Sequence, residues 1–242
     1  MIQNKSKTQN AETGEARIEW LEGAVPCSTR FDDPYYSKHD GLAETRHVFL
    51  AGNGLSERFS TCSHFTIAEL GFGTGLNFLA TLQLWNETAP ASTKLDFFSF
   101  ELFPMATHDM AAALAAWPEL VTLTKPLLEA WESRNARIDT LEMKAGSINL
   151  TVFFGDANSR LPQTDFSADA WFLDGFSPAK NPELWNEDLM KEVFRHVRPG
   201  GTLATYSAAG WVRRNLEATG FLTARQPGHA GKRQMTVASR PA

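Results

Sequence analysis

The sequence predicts an α/β domain on a mostly parallel sheet, and three observations carry that prediction. Short apolar runs alternate with longer stretches of helical period along most of the chain, as in repeated βαβ units. The first of these runs ends in a glycine-rich turn, Gly71-Phe72-Gly73-Thr74-Gly75, at the strand-to-helix junction where such sheets bind ligands. The length of 242 residues, with 43% hydrophobic and 21% charged side chains, suits one soluble domain with one full-sized core.

The elements follow in order. Residues 1–16 are polar, lack a signal-peptide core and read as a disordered tail, leaving 17–242 as the domain. Phe65 to Leu70 is the first strand, and Leu76, Leu79, Leu82 and Trp85 mark one face of the helix after it. Leu95 to Glu101 is the second strand; Pro104 opens a helix from Met105 to Ala116, and Pro118 begins another through Leu128 and Trp131. Ile138 to Met143 and Ile148 to Phe154 read as a hairpin around Lys144 to Ser147, the second arm being the third parallel strand. Ala168 to Leu173 is the fourth strand, followed by a helix from Trp185 to Val197 that Arg198-Pro199-Gly200-Gly201 stops. Thr202 to Tyr206 is a fifth strand, Trp211 to Thr219 a helix, and Phe221 to Arg225 and Met235 to Ser239 close the domain. Seven mostly parallel strands with an N-terminal extension fit a Rossmann-like class I methyltransferase sheet better than a two-halved dinucleotide domain. Trp20, Trp85, Trp117 and Trp131 are expected in the core.

Composition excludes several alternatives. No segment nears the run of about 20 apolar residues that spans a bilayer, so no membrane role is expected and the cytosol is the expected compartment. Cys27 and Cys62 are too few for a disulfide framework, and neither they nor the six histidines have metal-ligand spacing. No metal is expected. The net charge of −5 is unevenly spread: residues 191–242 hold nine Lys/Arg and two Asp/Glu, a local +7, against 14 and 26 in the other 190 residues. That C-terminal excess is either a basic face for nucleic acid or an ordinary solvated surface.

The glycine turn points to an adenosyl ligand. Glycines let the backbone turn sharply and approach a ligand closely, but Leu76 stands where G-x-G-x-x-G needs its last glycine. Glu69, two residues before the first glycine, would repel a pyrophosphate and suits a cationic methionine moiety. Glu101, 26 residues after Gly75, ends the second strand and can accept both ribose hydroxyls, and Asp156 after the third strand can accept from an adenine amino group. Together these spacings favour S-adenosylmethionine over NAD. The expected contact set is Glu69, Gly71, Phe72, Gly73, Thr74, Gly75, Asn77, Glu101, Asp156, Ala157 and Tyr36, the last on a segment, Arg30 to Ser37, that can fold over the ligand. Asp174, after the fourth strand, is the candidate catalytic carboxylate, the alternative being a helix cap.

These motifs also carry a family resemblance over residues 16–239. R-F-D-D-P-Y-Y-S at 30–37, E-L-G-F-G-T-G-L-N-F-L at 69–79, W-F-L-D-G-F-S-P-A-K-N-P-E-L-W at 171–185 and R-P-G-G-T-L-A-T-Y-S-A-A-G-W-V-R-R at 198–214 resemble the methyltransferase domain of the bifunctional tRNA 5-methylaminomethyl-2-thiouridine biosynthesis proteins. The resemblance implies S-adenosylmethionine binding, methylation of the exocyclic amine of 5-aminomethyl(-2-thio)uridine at the tRNA wobble position, and Asp174 as the catalytic residue. The family's fused form adds a flavin-dependent oxidase; no second glycine fingerprint for FAD is present, so an oxidase is expected only as a separate domain or partner. Lys180 and Asn181 are candidate contacts to the uridine or its phosphate, and Arg213, Arg214, Lys232 and Arg233 to tRNA phosphates. Two rival readings remain: a methyltransferase for small amines, and a non-catalytic nucleotide-binding partner of an oxidase.

Overall fold

The computed structural model describes residues 14–134, 139–231 and 233–242. The expected tail therefore falls almost wholly outside the described residues, as do Ile138 and Lys232. Two sheets are present. The smaller is antiparallel and built from β1 (Ile18–Leu21), β2 (Val25–Ser28) and β3 (Asp33–Pro34). Ala24 and Asp32, both at positive φ, turn the chain between its strands. Next come α1 (Gly41–Thr45), capped by the Asp40 carboxylate on Ala43 N–H, a π-helical turn at Arg46–Ala51, and α2 (Leu55–Thr61).

The main sheet contains β4 (His64–Leu70), β5 (Lys94–Glu101), β6 (Thr140–Ala145), β7 (Ile148–Phe154), β8 (Ala168–Leu173), β9 (Val197–Thr205), β10 (Leu222–Gln226) and β11 (Met235–Ser239). Their spatial order is β10-β11-β9-β8-β4-β5-β7-β6. β7, β5, β4, β8 and β9 run parallel, and β11 and β6 run against their neighbours. The parallel strands are buried on both faces and correspondingly apolar: Ile67, Phe97, Trp171 and Phe172 are all at 0% exposure. Strand alternation divides them between two cores. Ala170 and Phe172 of β8 face one core, shared with α3 (Leu76–Thr88), α4 (Thr107–Leu114) and α5 (Val121–Glu132). Trp171 and Leu173 face the other, shared with α6 (Ala157–Arg160), α7 (Glu187–Arg195) and α8 (Gly210–Ala218).

Three features differ from expectation. The first hairpin arm joins the sheet edge as β6, an eighth strand, because it pairs with β7 from Thr140 to Ala145. The helix expected to reach Val197 ends at Arg195, and β9 takes in Arg198 to Gly201. There Gly200 N–H donates to Arg240 O and Arg240 N–H to Gly201 O, so pairing with the C-terminal segment wins over a turn. Trp20, read as core, is 41% exposed on β1.

From β4 the chain adds β5 and β7 on one side, then crosses to add β8 and β9 on the other. The reversal sits between β4 and β8, and ligands of open α/β sheets bind beyond the strand tips at such a point. Among the described residues no helix is long and apolar enough to cross a membrane.

Candidate active site

A cleft of about 2320 Å³ opens at those strand tips, between the main sheet and the small one. Gly71 to Thr74 form its floor, with φ of +81° at Gly71, +55° at Gly73 and +77° at Gly75, a region that favours glycine. Gly71 also lies against the loop after β8. A Cβ at 71 would meet Gly175 Cα at 3.3 Å, and one at 175 would meet Leu184 Cδ2 at 2.3 Å.

Glu101 and Glu69 hold different positions. Glu101, the last residue of β5, lines the cleft. Gly73 N–H donates to its Oε2 at 2.8 Å and Phe103 N–H to its Oε1 at 2.7 Å. Burial pushes its pKa up and the surrounding backbone N–H groups pull it down. Its remaining lone pairs suit paired hydroxyl donors such as a ribose diol. Glu69 lies one residue before the end of β4, at 0% exposure, and is not part of the cleft wall. Its oxygens accept from Asn77 Nδ2 at 2.9 Å and Ser99 Oγ at 2.7 Å. Glu69 therefore reaches the cleft only through Asn77, which does line it. Asp156 and Ala157 line it as well; Asp156 Oδ1 caps α6 by accepting from Asn158 N–H at 2.9 Å.

Asp174 sits directly after β8 on the cleft wall. Asn77 Nδ2 donates to its Oδ2 at 2.7 Å and Gly175 N–H to its Oδ1 at 2.8 Å. It does not cap α7, whose N-cap is Asn186. Tyr206, just past β9, donates to Gly175 O at 2.7 Å, and its hydroxyl is held well above its ordinary pKa by burial and by the Asp174 charge. Sequence reasoning placed Tyr206 at a strand tip but gave it no role.

The small sheet brings two distant motifs together here. Asp33 Oδ2 accepts from Ser177 N–H at 2.7 Å, and Lys180 pairs with Asp32 Oδ2 at 2.8 Å. Phe31 stacks on Phe176 with ring centroids 4.7 Å apart. Lys180, expected on the substrate, is therefore engaged by Asp32; Asn181 remains on the cleft wall. The tyrosine over the glycine turn is Tyr35, whose Cδ1 lies 3.3 Å from a Cβ built on Gly73. Tyr36, the expected one, lines the cleft but turns its hydroxyl to the carbonyls of Ala24 and Ala113.

Of the C-terminal cations, Arg213 pairs with Glu217 at 3.4 Å, while Arg214 and Arg233 are exposed. Arg233 lines a second cavity of about 680 Å³ that shares Tyr206 with the main cleft. Among the described residues no group of three His, Cys, Asp or Glu is gathered as a metal site.

A glycine floor, a ribose-compatible carboxylate and a second carboxylate on the cleft wall at one switch point fit a bound sulfonium nucleoside. A family model described as S-adenosyl-L-methionine-dependent methyltransferase matches residues 118–241, just over half of the 242. The chain belongs to the S-adenosyl-L-methionine-dependent methyltransferases. Among its curated relatives, the tRNA 5-methylaminomethyl-2-thiouridine biosynthesis bifunctional protein MnmC of Aeromonas hydrophila is 47% identical over 234 residues, covering 93% of this chain and 35% of that protein. The protein of the same name from Pseudomonas aeruginosa is 47% identical over 223 residues, 91% of this chain and 34% of its own. This methyltransferase thus spans about a third of the length of the curated relatives it matches. Among solved structures, MNMC2 from Aquifex aeolicus superposes with a TM-score of 0.76 at 26% identity, over 96% of this chain and 74% of that one. Spermidine synthase from Thermotoga maritima, at 10% identity and a TM-score of 0.51, shares the fold.

Proposed function

We propose that this methyltransferase methylates the exocyclic amine of 5-aminomethyl(-2-thio)uridine at the tRNA wobble position, giving 5-methylaminomethyl(-2-thio)uridine, in the cytosol. The substrate class rests on the MnmC relatives at 47% identity. The chemistry rests on one observation: Asp174 presents a carboxylate to the cleft, held at both oxygens, beside the glycine turn. A flavin-dependent oxidase, as a separate domain or protein, would supply the aminomethyl substrate.

Gly71 to Gly75, Asn77 and Ala157 would hold S-adenosylmethionine, with Glu101 on the ribose hydroxyls and Asp156 on the adenine amino group. The bound cofactor supplies an electrophilic methyl group on a sulfonium. A primary alkylamine with a pKa near about 10.4 is mostly protonated at neutral pH, and reaching its neutral form costs roughly 4–5 kcal/mol. Asp174 does not lower that pKa, since a neighbouring negative charge favours the ammonium. It orients the amine, accepts its proton, and stabilises positive charge growing on nitrogen. Asn181 and the exposed Arg214 and Arg233 are the substrate contacts best placed to act, whereas Lys180 would first have to leave Asp32.

The test is incubation of labelled S-adenosylmethionine with tRNA lacking the final methylation, followed by nucleoside analysis. Label in 5-methylaminomethyl-type uridine is expected; label only in free amines would support the small-amine reading, and cofactor binding without turnover the non-catalytic one. Asp174→Asn should keep S-adenosylhomocysteine binding and lose at least about 100-fold in turnover, the scale of a lost acid–base group. Full activity in that variant would remove Asp174 from the reaction.

A further inference from the structure

Asn77 is the point through which α1, β4 and β5 reach the reactive carboxylate. Its amide nitrogen has two hydrogens and spends both: one on Glu69 Oε1 at 2.9 Å, one on Asp174 Oδ2 at 2.7 Å. Its amide oxygen accepts from Thr45 Oγ1 at 2.8 Å. Glu69 is held in turn by Ser99 Oγ at 2.7 Å. Thr45, Glu69, Asn77 and Ser99 are all buried, Thr45 and Asn77 at the edge of the cleft, so a lost partner is not readily replaced within the protein. Reversing the amide would set its oxygen against the Asp174 carboxylate and take away that carboxylate's donor, which favours the orientation observed.

We infer that Asn77 is a positioning residue for Asp174, with Thr45 and Glu69 as its anchors. With Asn77 on one oxygen and Gly175 N–H on the other, the Asp174 carboxylate is fixed in plane and rotation. The carboxylate is thereby held in one orientation on the cleft wall. Thr45 matters because it fixes the amide plane from the far side. Without its hydroxyl the Asn77 oxygen loses its protein donor, and finding another swivels the NH2 group away from Asp174. A small displacement of a reacting group is enough to cost much of its effect.

This inference rests on the role proposed for Asp174, and a double-mutant cycle separates the two. The variants are Thr45→Val, Thr45→Ser, Asp174→Asn and the pair Thr45→Val/Asp174→Asn. Turnover of aminomethyl-uridine tRNA, S-adenosylhomocysteine affinity by calorimetry and melting temperature are measured for each. Thr45→Val should lose about tenfold in kcat, with cofactor affinity within about twofold, as expected when ground-state binding is untouched. Thr45→Ser keeps the donor and should restore kcat. On the Asp174→Asn background, Thr45→Val should cost nothing further. Wild-type kcat in Thr45→Val, equal impairment in Thr45→Ser, or a loss that adds in full to that of Asp174→Asn would each overturn the inference. Should Thr45→Val fail to fold, Thr45→Ala is read in its place by the same criteria. Were Asp174→Asn itself fully active, the proposed mechanism would fail; were it inactive while Thr45→Val stayed unimpaired, only the positioning inference would.

Discussion

Two buried glutamates at neighbouring strand tips carry similar chemistry to different ends, and two residues of register separate them, Glu69 lying level with Ser99. Glu101 is the last residue of β5 and emerges into the cleft; Glu69 precedes the last residue of β4 and stays inside. Glu101→Ala should weaken S-adenosylhomocysteine binding about 10- to 100-fold by calorimetry, the loss of one or two charge-assisted hydrogen bonds. Glu69 is felt in stability instead. Burial holds its pKa well above the ordinary 4.5, against the pull of Ser99 and Asn77. Above 4.5 the folded protein keeps a proton that the unfolded chain has released, so stability falls as pH rises toward the raised value. Glu69→Gln removes that term: its melting temperature should exceed wild type at about pH 8, with the gain vanishing toward about pH 4. An unchanged difference across that range would mean that Glu69 is charged in the folded state. The sequence pointed to Glu101 because it belongs to a series of acids at three successive strand ends, whereas one such acid alone is more often merely solvated. Thr45 and Ser99 were not legible, since nothing local marks a hydroxyl whose partner lies 30 or more positions away.

The element that sequence reasoning undervalued is the small antiparallel sheet. Periodicity carried β4, α3, β5, β7 and β8, whose apolar runs are long and end in turn residues. β1 and β2 have four residues each and β3 two, too short for alternation to register. What stabilises them is contact with the loop after β8, 144 positions away for Asp33 and Ser177. That docking makes a graded prediction. Asp33→Ala leaves Ser177 N–H without its acceptor, a cost of about 1–2 kcal/mol. Hydrogen exchange over residues 175–181 should quicken and kcat/KM fall. Lys180→Ala, by contrast, removes an exposed ion pair and should leave the melting temperature nearly unchanged.

At the scale of the whole molecule, charge counted along the chain overstates charge available on the surface. Lys191, Arg195, Arg198 and Arg213 pair with acids, and Arg240 binds the carbonyls of Phe194 and Val197. Arg214, Arg225 and Arg233 are the exposed remainder among the described residues from 191 onward. Arg214→Ala or Arg233→Ala should each reduce the slope of log affinity for tRNA against log salt by about 1, and Arg198→Ala should leave it unchanged. The mostly parallel sheet was within reach of sequence because it repeats one motif; its spatial strand order and which cations face outward were not, because both depend on the finished fold. The near-contact of Gly71 with Gly175 has a bearing on redesign. The hinge of the glycine turn and the backbone behind Asp174 share a seam so close that a Cβ at 71, already strained at its positive φ, would press Gly175 aside, so the two loops are best reshaped together. Retargeting this scaffold to a new acceptor would have to begin further out, at the aromatic rim of Phe31 and Phe176, where side chains can change without prising the two strands apart.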